Sequence, residues 1–444
     1  MKTFFLTFLL LKFGSSEFQD DLEKIKNQYS CDPYCTFNHS EITSKTVTFF
    51  PKCEEICGIL IFNQNTDLSE SQLSEVFENM HTLFGGIDIQ SSSLKSLSFI
   101  KTYDNVYRKF NFFCETYGFF IKNNLLLTDI SILNNVYMWG DQNYEQCEFR
   151  IENNTNLDTK FLEQNMDTYR YLDVRTSGNL KNCGCRGDDI TSNVPESYST
   201  CEYLFGGLNF SSGVDVSDLE YLGKIKNVMG HFIIQNTDLE DLSFLKSLET
   251  IHMKNIGIKD EVFLAIQNNS NMRKLGLDKF KELQYDWGNN RFVNFENLHP
   301  DFCITISEMK IFFQYNVFFK NIHAKYCDDV GFMPIYRVCK FENKLSNLED
   351  YCSYILGDLK IGDGDEEHVQ KLSMVSMIFG SLRIENTSFS DLSFLSALRY
   401  IGSLDEKLPA IQIVNNTNLV NAYFSNIENV ITKRKQYAII ENNH

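Results

Sequence analysis

The sequence predicts a β-solenoid, with coils of short strands stacked into three successive domains. Three observations carry the prediction. A glycine-led motif recurs at residues 85–100 (GGIDIQSSSLKSLSFI), 230–245 (GHFIIQNTDLEDLSFL) and 380–395 (GSLRIENTSFSDLSFL). Behind each glycine the side chains alternate, as in Leu382-Arg383-Ile384-Glu385 and Ile87-Asp88-Ile89, the period-2 signature of a half-buried strand. Each copy also has the same surroundings. Cys53, Cys201 and Cys352 stand ahead of Gly58, Gly206 and Gly357, and an Asn-rich corner follows at residues 153–157, 268–272 and 415–419.

The pieces of one motif have separate physical jobs. The polar triplet after the strand (Asn236-Thr237-Asp238 or Asn386-Thr387-Ser388) is corner chemistry, because such side chains bond to nearby backbone. Leu94, Leu239 and Phe389 then point inward, and Leu-Ser-Phe carries the chain to the next level, starting at Leu97, Leu242 and Leu392. A single coil cannot bury its own apolar face, so coils must stack.

In chain order, residues 1–16 are expected to be a secretory signal peptide. Lys2 is the charged start, residues 3–11 the apolar core, and Gly14 and Ser16 the small residues before a cut. Residues 17–52 form a lead containing Cys31 and Cys35, and residues 53–182 the first domain. The stretch from Gly85 to Asn153 exceeds its counterparts by roughly thirty residues, about one extra coil, with Gly118-Phe119-Phe120-Ile121 as its strand. Residues 183–200, with Gly184, Gly187 and Pro195, read as a linker. The second domain, 201–326, closes with a helix: Thr305 or Ser307 caps it, Glu308 lies in its first turn, and Met309, Phe312 and Phe313 form its apolar stripe. A second Cys-containing linker, 327–351, leads to the third domain at 352–444. That domain lacks the counterpart of the closing helix and cysteine pair, and is expected to be C-terminally incomplete.

This ordered set of features resembles the receptor L domain, the ligand-contacting module of the insulin and EGF receptor families. It is most similar to the nematode-expanded group of secreted proteins built from tandem L domains. The resemblance rests on the Cys-x4-Gly start, the Gly-x-Leu-x-Ile strand, the Asn-Thr-x-Leu corner and the Leu-Ser-Phe-Leu step, and covers about residues 53–444. It implies right-handed, leucine-rich-like β-helical coils with short helices. It also implies a non-catalytic, extracellular protein that binds, or competes for, peptide hormones of the insulin or EGF class, or contacts their receptors.

Composition agrees with a folded protein, since 43% of residues are apolar and 23% charged. A net charge of −18 disfavours nucleic acid and anionic lipid as partners and would suit a basic ligand. No run beyond the leader is long and apolar enough to suggest membrane insertion. Thirteen cysteines suggest disulfides that cap solenoid ends. Order along the chain pairs Cys303 with Cys327 and Cys339 with Cys352, and Cys114 with Cys147 bracket the insert. The odd thiol falls to Cys183 or Cys185. No phosphate loop, kinase motif or histidine metal spacing stands out, so no enzyme activity and no cofactor are expected. The acidic Gly362–Glu367 stretch reads as a solvated turn rather than a calcium loop. The alternatives are an adhesive or structural extracellular module and a carbohydrate-acting enzyme on a β-helix.

Six sequons begin at Asn38, Asn153, Asn209, Asn268, Asn386 and Asn415. At a coil corner, the same asparagine could carry a glycan or turn inward to bond neighbouring backbone. Alternation nominates a ligand face in the first domain, with Ile61, Asp88, Phe120 and Arg150 pointing out in one column and Ile61 and Phe120 exposed. The corresponding columns are Asn209, Ile233 and His252 in the second domain and Lys360, Arg383 and Gln412 in the third. The leader reading predicts cleavage after Ser16: N-terminal sequencing of protein recovered from medium should begin at Glu17, and an intact Met1 would contradict it.

Overall fold

The computed structural model describes residues 17–100, 110–139, 147–165, 172–190, 193–213, 216–253, 261–285, 291–328 and 336–444. The expected signal peptide lies outside these residues. The chain forms two compact units, one from Met1–Asp189 with Thr200–Gly207, the other mainly from Leu208–Met253 and Ile258–His444.

Every strand pairing that the described residues make is parallel. In the first unit, the strands Thr36–Phe37, Glu55–Phe62, Thr82–Gln90, Phe110–Lys122, Glu148–Glu152 and Asp173–Ser177 stack in chain order, and Val136–Trp139 pairs with Phe110–Lys122. The strand Phe110–Lys122 is the extra coil. The second unit repeats the pattern as Leu208–Phe210, Phe232–Gln235, Val262–Gln267, Phe292–Glu296 and Phe318–Ile322, and again as Leu359–Ile361, Leu382–Glu385, Ile411–Val414 and Ala438–Glu441. Such strict sequential stacking means that each coil pairs only with the coils before and after it.

The motif glycines are required where the chain bends, Gly85 within the strand Thr82–Gln90 and Gly380 between the strands Met377–Phe379 and Leu382–Glu385 of two sheets. Gly85 has φ +142, and a Cβ there would stand 2.1 Å from the Gly58 carbonyl oxygen. Gly380 repeats this, with φ +156 and the Gly357 oxygen at 2.2 Å. Only glycine allows coils to approach so closely at a positive φ. Beyond the bend, alternation holds: Leu382 and Ile384 are buried, while Arg383 and Glu385 are half-buried.

At the next corner two adjacent residues divide the work. The first takes the left-handed conformation, as at Asn123, Asn153, Asn268 and Asn415 (φ 57–58). The second turns inward: Asn124, Asn154, Asn269 and Asn416 are fully buried. Asn124 donates from Nδ2 to the Ile89 carbonyl at 2.8 Å, and its Oδ1 accepts from the Ser92 backbone at 2.9 Å. Asn154 repeats this one coil on, donating to Ile121 O at 2.9 Å and accepting from the Asn124 amide at 2.9 Å. Asn179 continues the ladder, donating to Ile151 O at 2.7 Å. In the other domains Thr237 bonds Asn269, and Thr387 bonds Asn416, which bonds Asn443.

The Leu-Ser-Phe-Leu step forms a 3-10 turn at Ser243–Leu245 and Ser393–Leu395. The acid before it initiates the turn: Asp241 accepts from the Ser243 amide, and Asp391 from the Ser393 amide, both at 2.9 Å. This is an Asx turn.

Six disulfides link Cys31–Cys57, Cys35–Cys53, Cys114–Cys147, Cys185–Cys201, Cys303–Cys327 and Cys339–Cys352. Cys183 is the remaining thiol, and burial pushes its pKa up to about 12. The segment expected to be a plain linker contains a short strand, Cys185–Arg186, which pairs with Tyr203–Phe205.

In the second unit the helix Ile306–Gln314 is capped by Thr305, with Glu308 completing a capping box. It joins the second and third domains. Phe313 stacks on Tyr400 at 5.4 Å and approaches Phe379 at 5.8 Å. The Tyr326 hydroxyl donates to the Gly402 carbonyl at 2.8 Å. The junction has no room for a methyl group, since a Cβ on Gly402 would meet Tyr326 Oη at 2.5 Å and Phe313 Cζ at 2.7 Å. Gly402→Ala is therefore predicted to cost about 1–3 kcal/mol of stability by overpacking, read from urea unfolding of the whole protein.

Candidate ligand-facing sheet

The first domain sets Ile61 opposite Asp88, Asp88 opposite Phe120, and Phe120 opposite Arg150. The four therefore form one column on one face, and Arg175 extends it. Their exposure differs from the sequence expectation. Ile61 and Phe120 are half-buried, and Arg150 is only 8% exposed.

The cover over Ile61 is a helix at residues 17–29, in the segment read from sequence as a lead. Phe18, Leu22 and Ile25 recur at i, i+4 and i+7, one stripe of a helix. That stripe is buried with Cys57 and Ile59, and Tyr29, Ile61, Phe84 and Tyr117 pack against the cluster. Cys31–Cys57 ties the end of the helix to the strand beneath it. Tyr29 adds a ring contact with Phe84 at 4.8 Å and a hydrogen bond to Glu115. The spacing that announces this helix is present in the sequence at Phe18, Leu22 and Ile25.

The middle of the face is a small electrostatic cluster. A bulge in the pairing of Thr82–Gln90 with Phe110–Lys122 lifts Tyr117 over Gly86. Tyr117 lies beside Asp88, and burial, aided by the Asp88 charge, pushes its phenol well above the usual range. Burial raises the Asp88 pKa, against the opposing pull of Lys122. Lys122 stands 4.9 Å from the centre of the Phe120 ring and 3.5 Å from Glu152. Phe120 meets Tyr117 edge to face at 5.7 Å.

The far end is charged but internally matched. Arg150 and Arg186 both pair with Asp173. Burial acts to raise the Asp173 pKa, but the two guanidiniums outweigh it and hold the carboxyl below its usual range. Arg150 is thus a strut between coils and not an exposed contact. The second-domain column is also corrected: Asn209 and Ile233 lead to Ala265 and Asn294. His252 belongs to the strand Thr250–Met253 in a different sheet.

The sequon asparagines Asn38, Asn153, Asn209, Asn268, Asn386 and Asn415 are all exposed. At the corners the inward bond belongs to the following residue, so glycan attachment and the buried ladder do not compete. The acidic turn at residues 362–367 spends its carboxylates locally: Asp365 accepts from the Gly362 amide at 3.0 Å and Glu366 from the Gly364 amide at 2.8 Å.

Parallel coils closed by asparagine corners, with a broad outward sheet, define a β-helical repeat protein. Its family follows from direct comparison: the receptor L domain model matches residues 52–172, 200–315 and 351–444, so the chain belongs to that family. It is similar to the protein irld-34 of Caenorhabditis elegans, at 24% identity over 48% of this chain and 55% of that protein. It is also similar to a Hydra vulgaris protein provisionally described as an insulin-like peptide receptor, at 26% identity over 44% of this chain and 12% of that protein. The chain thus spans about half of one relative and a small part of the other.

A raised Asp88 pKa means that the fold favours the protonated acid. That stabilisation is present below the ordinary carboxylate pKa and is lost as pH rises through the higher folded value. Asp88→Asn should therefore be more stable than the parent at pH 7, and the gap should close in acid. Urea unfolding at several pH values measures it.

Proposed function

We propose that this is a secreted, extracellular, non-catalytic binding protein built of right-handed L-domain coils. In this reading it binds or competes for peptide hormones of the insulin or EGF class, or contacts their receptors. The observation that carries the reading is the first-domain face, a flat parallel sheet presenting an aromatic side chain beside charged groups of both signs. Phe120, Lys122 and Glu152 are its accessible part, Ile61 and Asp88 lie at the edge of the helical cover, and Arg150 holds the sheet in shape. Backbone ladders and side-chain pairs fix these positions before any ligand arrives, which lowers the ordering cost of association.

The test is binding of an insulin-like peptide to the purified full chain by surface plasmon resonance. Phe120→Ala, folded by circular dichroism, should weaken binding about tenfold, the loss expected of a half-buried aromatic anchor. Unchanged affinity would remove this face from the proposal. Glycosylation is proposed at the six exposed sequons. Thr155→Ala should remove one glycan by mass and leave the melting temperature within about a degree, because the ladder residue Asn154 is untouched.

A further inference from the structure

The second unit contains a cleft of about 780 Å³ between the end of the second domain and successive coils of the third. This is within the usual range of ligand sites. Its apolar lining is Tyr326, Phe341, Leu356, Phe379 and Leu404. Gly357 and Gly380 also line it, at a bend where contact between coils excludes any side chain on Gly380. Tyr326 cannot swing away, because its hydroxyl bonds Gly402 and its ring packs on Phe379 at 5.7 Å.

The polar lining carries both signs, and part of it already has partners. Asp358 accepts from the Ser381 amide and hydroxyl at 2.8 Å, Asp405 accepts from the Lys407 amide at 2.7 Å, and Lys325 pairs with Asp301 at 2.8 Å. Lys433 differs. It is half-buried and makes no ion pair or hydrogen bond among the described residues. Burial lowers its pKa, and the charges of Glu406 and Asp405 oppose that only in part. A half-desolvated ammonium without a partner is an unfavourable arrangement that an incoming anion relieves.

We propose that this cleft binds a peptide segment in which a carboxylate adjoins a large apolar side chain. The carboxylate pairs with Lys433, and the apolar group lies against Phe379, Leu356 and Tyr326. The site is separate from the first-domain face and stands or falls independently of it.

The probes are N-acetyl-L-phenylalanine and its uncharged counterpart N-acetyl-L-phenylalaninamide, titrated into the full chain and followed by ligand-observed NMR. The acid should bind about tenfold more tightly than the amide, the worth of one charge-assisted contact. Lys433→Met should bring the acid down to the affinity of the amide. Glu406→Gln, at an exposed position that leaves the fold intact, should tighten the acid. Equal binding of acid and amide by the native protein, absence of binding by either, a preference that survives in Lys433→Met, or no gain in Glu406→Gln would each overturn the proposal. Should Lys433→Met fail to fold, the native acid-to-amide ratio and Glu406→Gln decide.

Discussion

The coils depend on the buried asparagine ladder at their corners. A chain that turns out of a strand leaves carbonyls inside the protein that water cannot reach, and an unmet buried acceptor costs about 1–3 kcal/mol. Asn124 and Asn154 meet this need one coil apart, each donating to a strand carbonyl of the coil before and accepting from the backbone of the preceding corner. Asparagine suits the position because one short planar group both donates and accepts. Its predecessor must take a left-handed conformation, which asparagine tolerates better than most residues. The Asn-Asn corners in this chain therefore state two separate requirements, one conformational and one for hydrogen bonding.

Rigidity at the corners reaches the sheets. Because register is held at both the glycine bend and the asparagine corner, outward columns are aligned without help from a ligand. The first domain uses this to set Phe120 beside Lys122 and above Tyr117, and uses the ion pairs of Asp173 to hold Arg150 flat. The helix at residues 17–29 covers the neighbouring apolar part of that face. The accessible surface is consequently smaller and more polar than alternation alone implies, with its most apolar part satisfied within the chain.

Much of the architecture was legible because it repeats. Three glycine-led motifs, their strand alternation and the capped helix at Thr305 each carry a local signal that one coil expresses without knowing its neighbours. The burial of Arg150 was not legible, because it depends on Asp173 in the following coil and on Arg186 beyond it. The sheet to which His252 belongs was not legible for a related reason: each coil contributes strands to different sheets, and spacing alone does not say which strand follows which bend. At the corners the inward asparagine was not legible apart from its neighbour, since adjacent asparagines look alike until backbone φ separates them.

The ladder is tested most directly by a double-mutant cycle on Asn124→Ala, Asn154→Ala and the pair, with stability measured by urea unfolding. Each single change should cost about 1–3 kcal/mol. Because Asn124 and Asn154 bond each other as well as the backbone, the cycle should return a coupling energy of at least about 0.5 kcal/mol. Small single losses that simply add would mean that the coils close without the ladder, and would contradict the account.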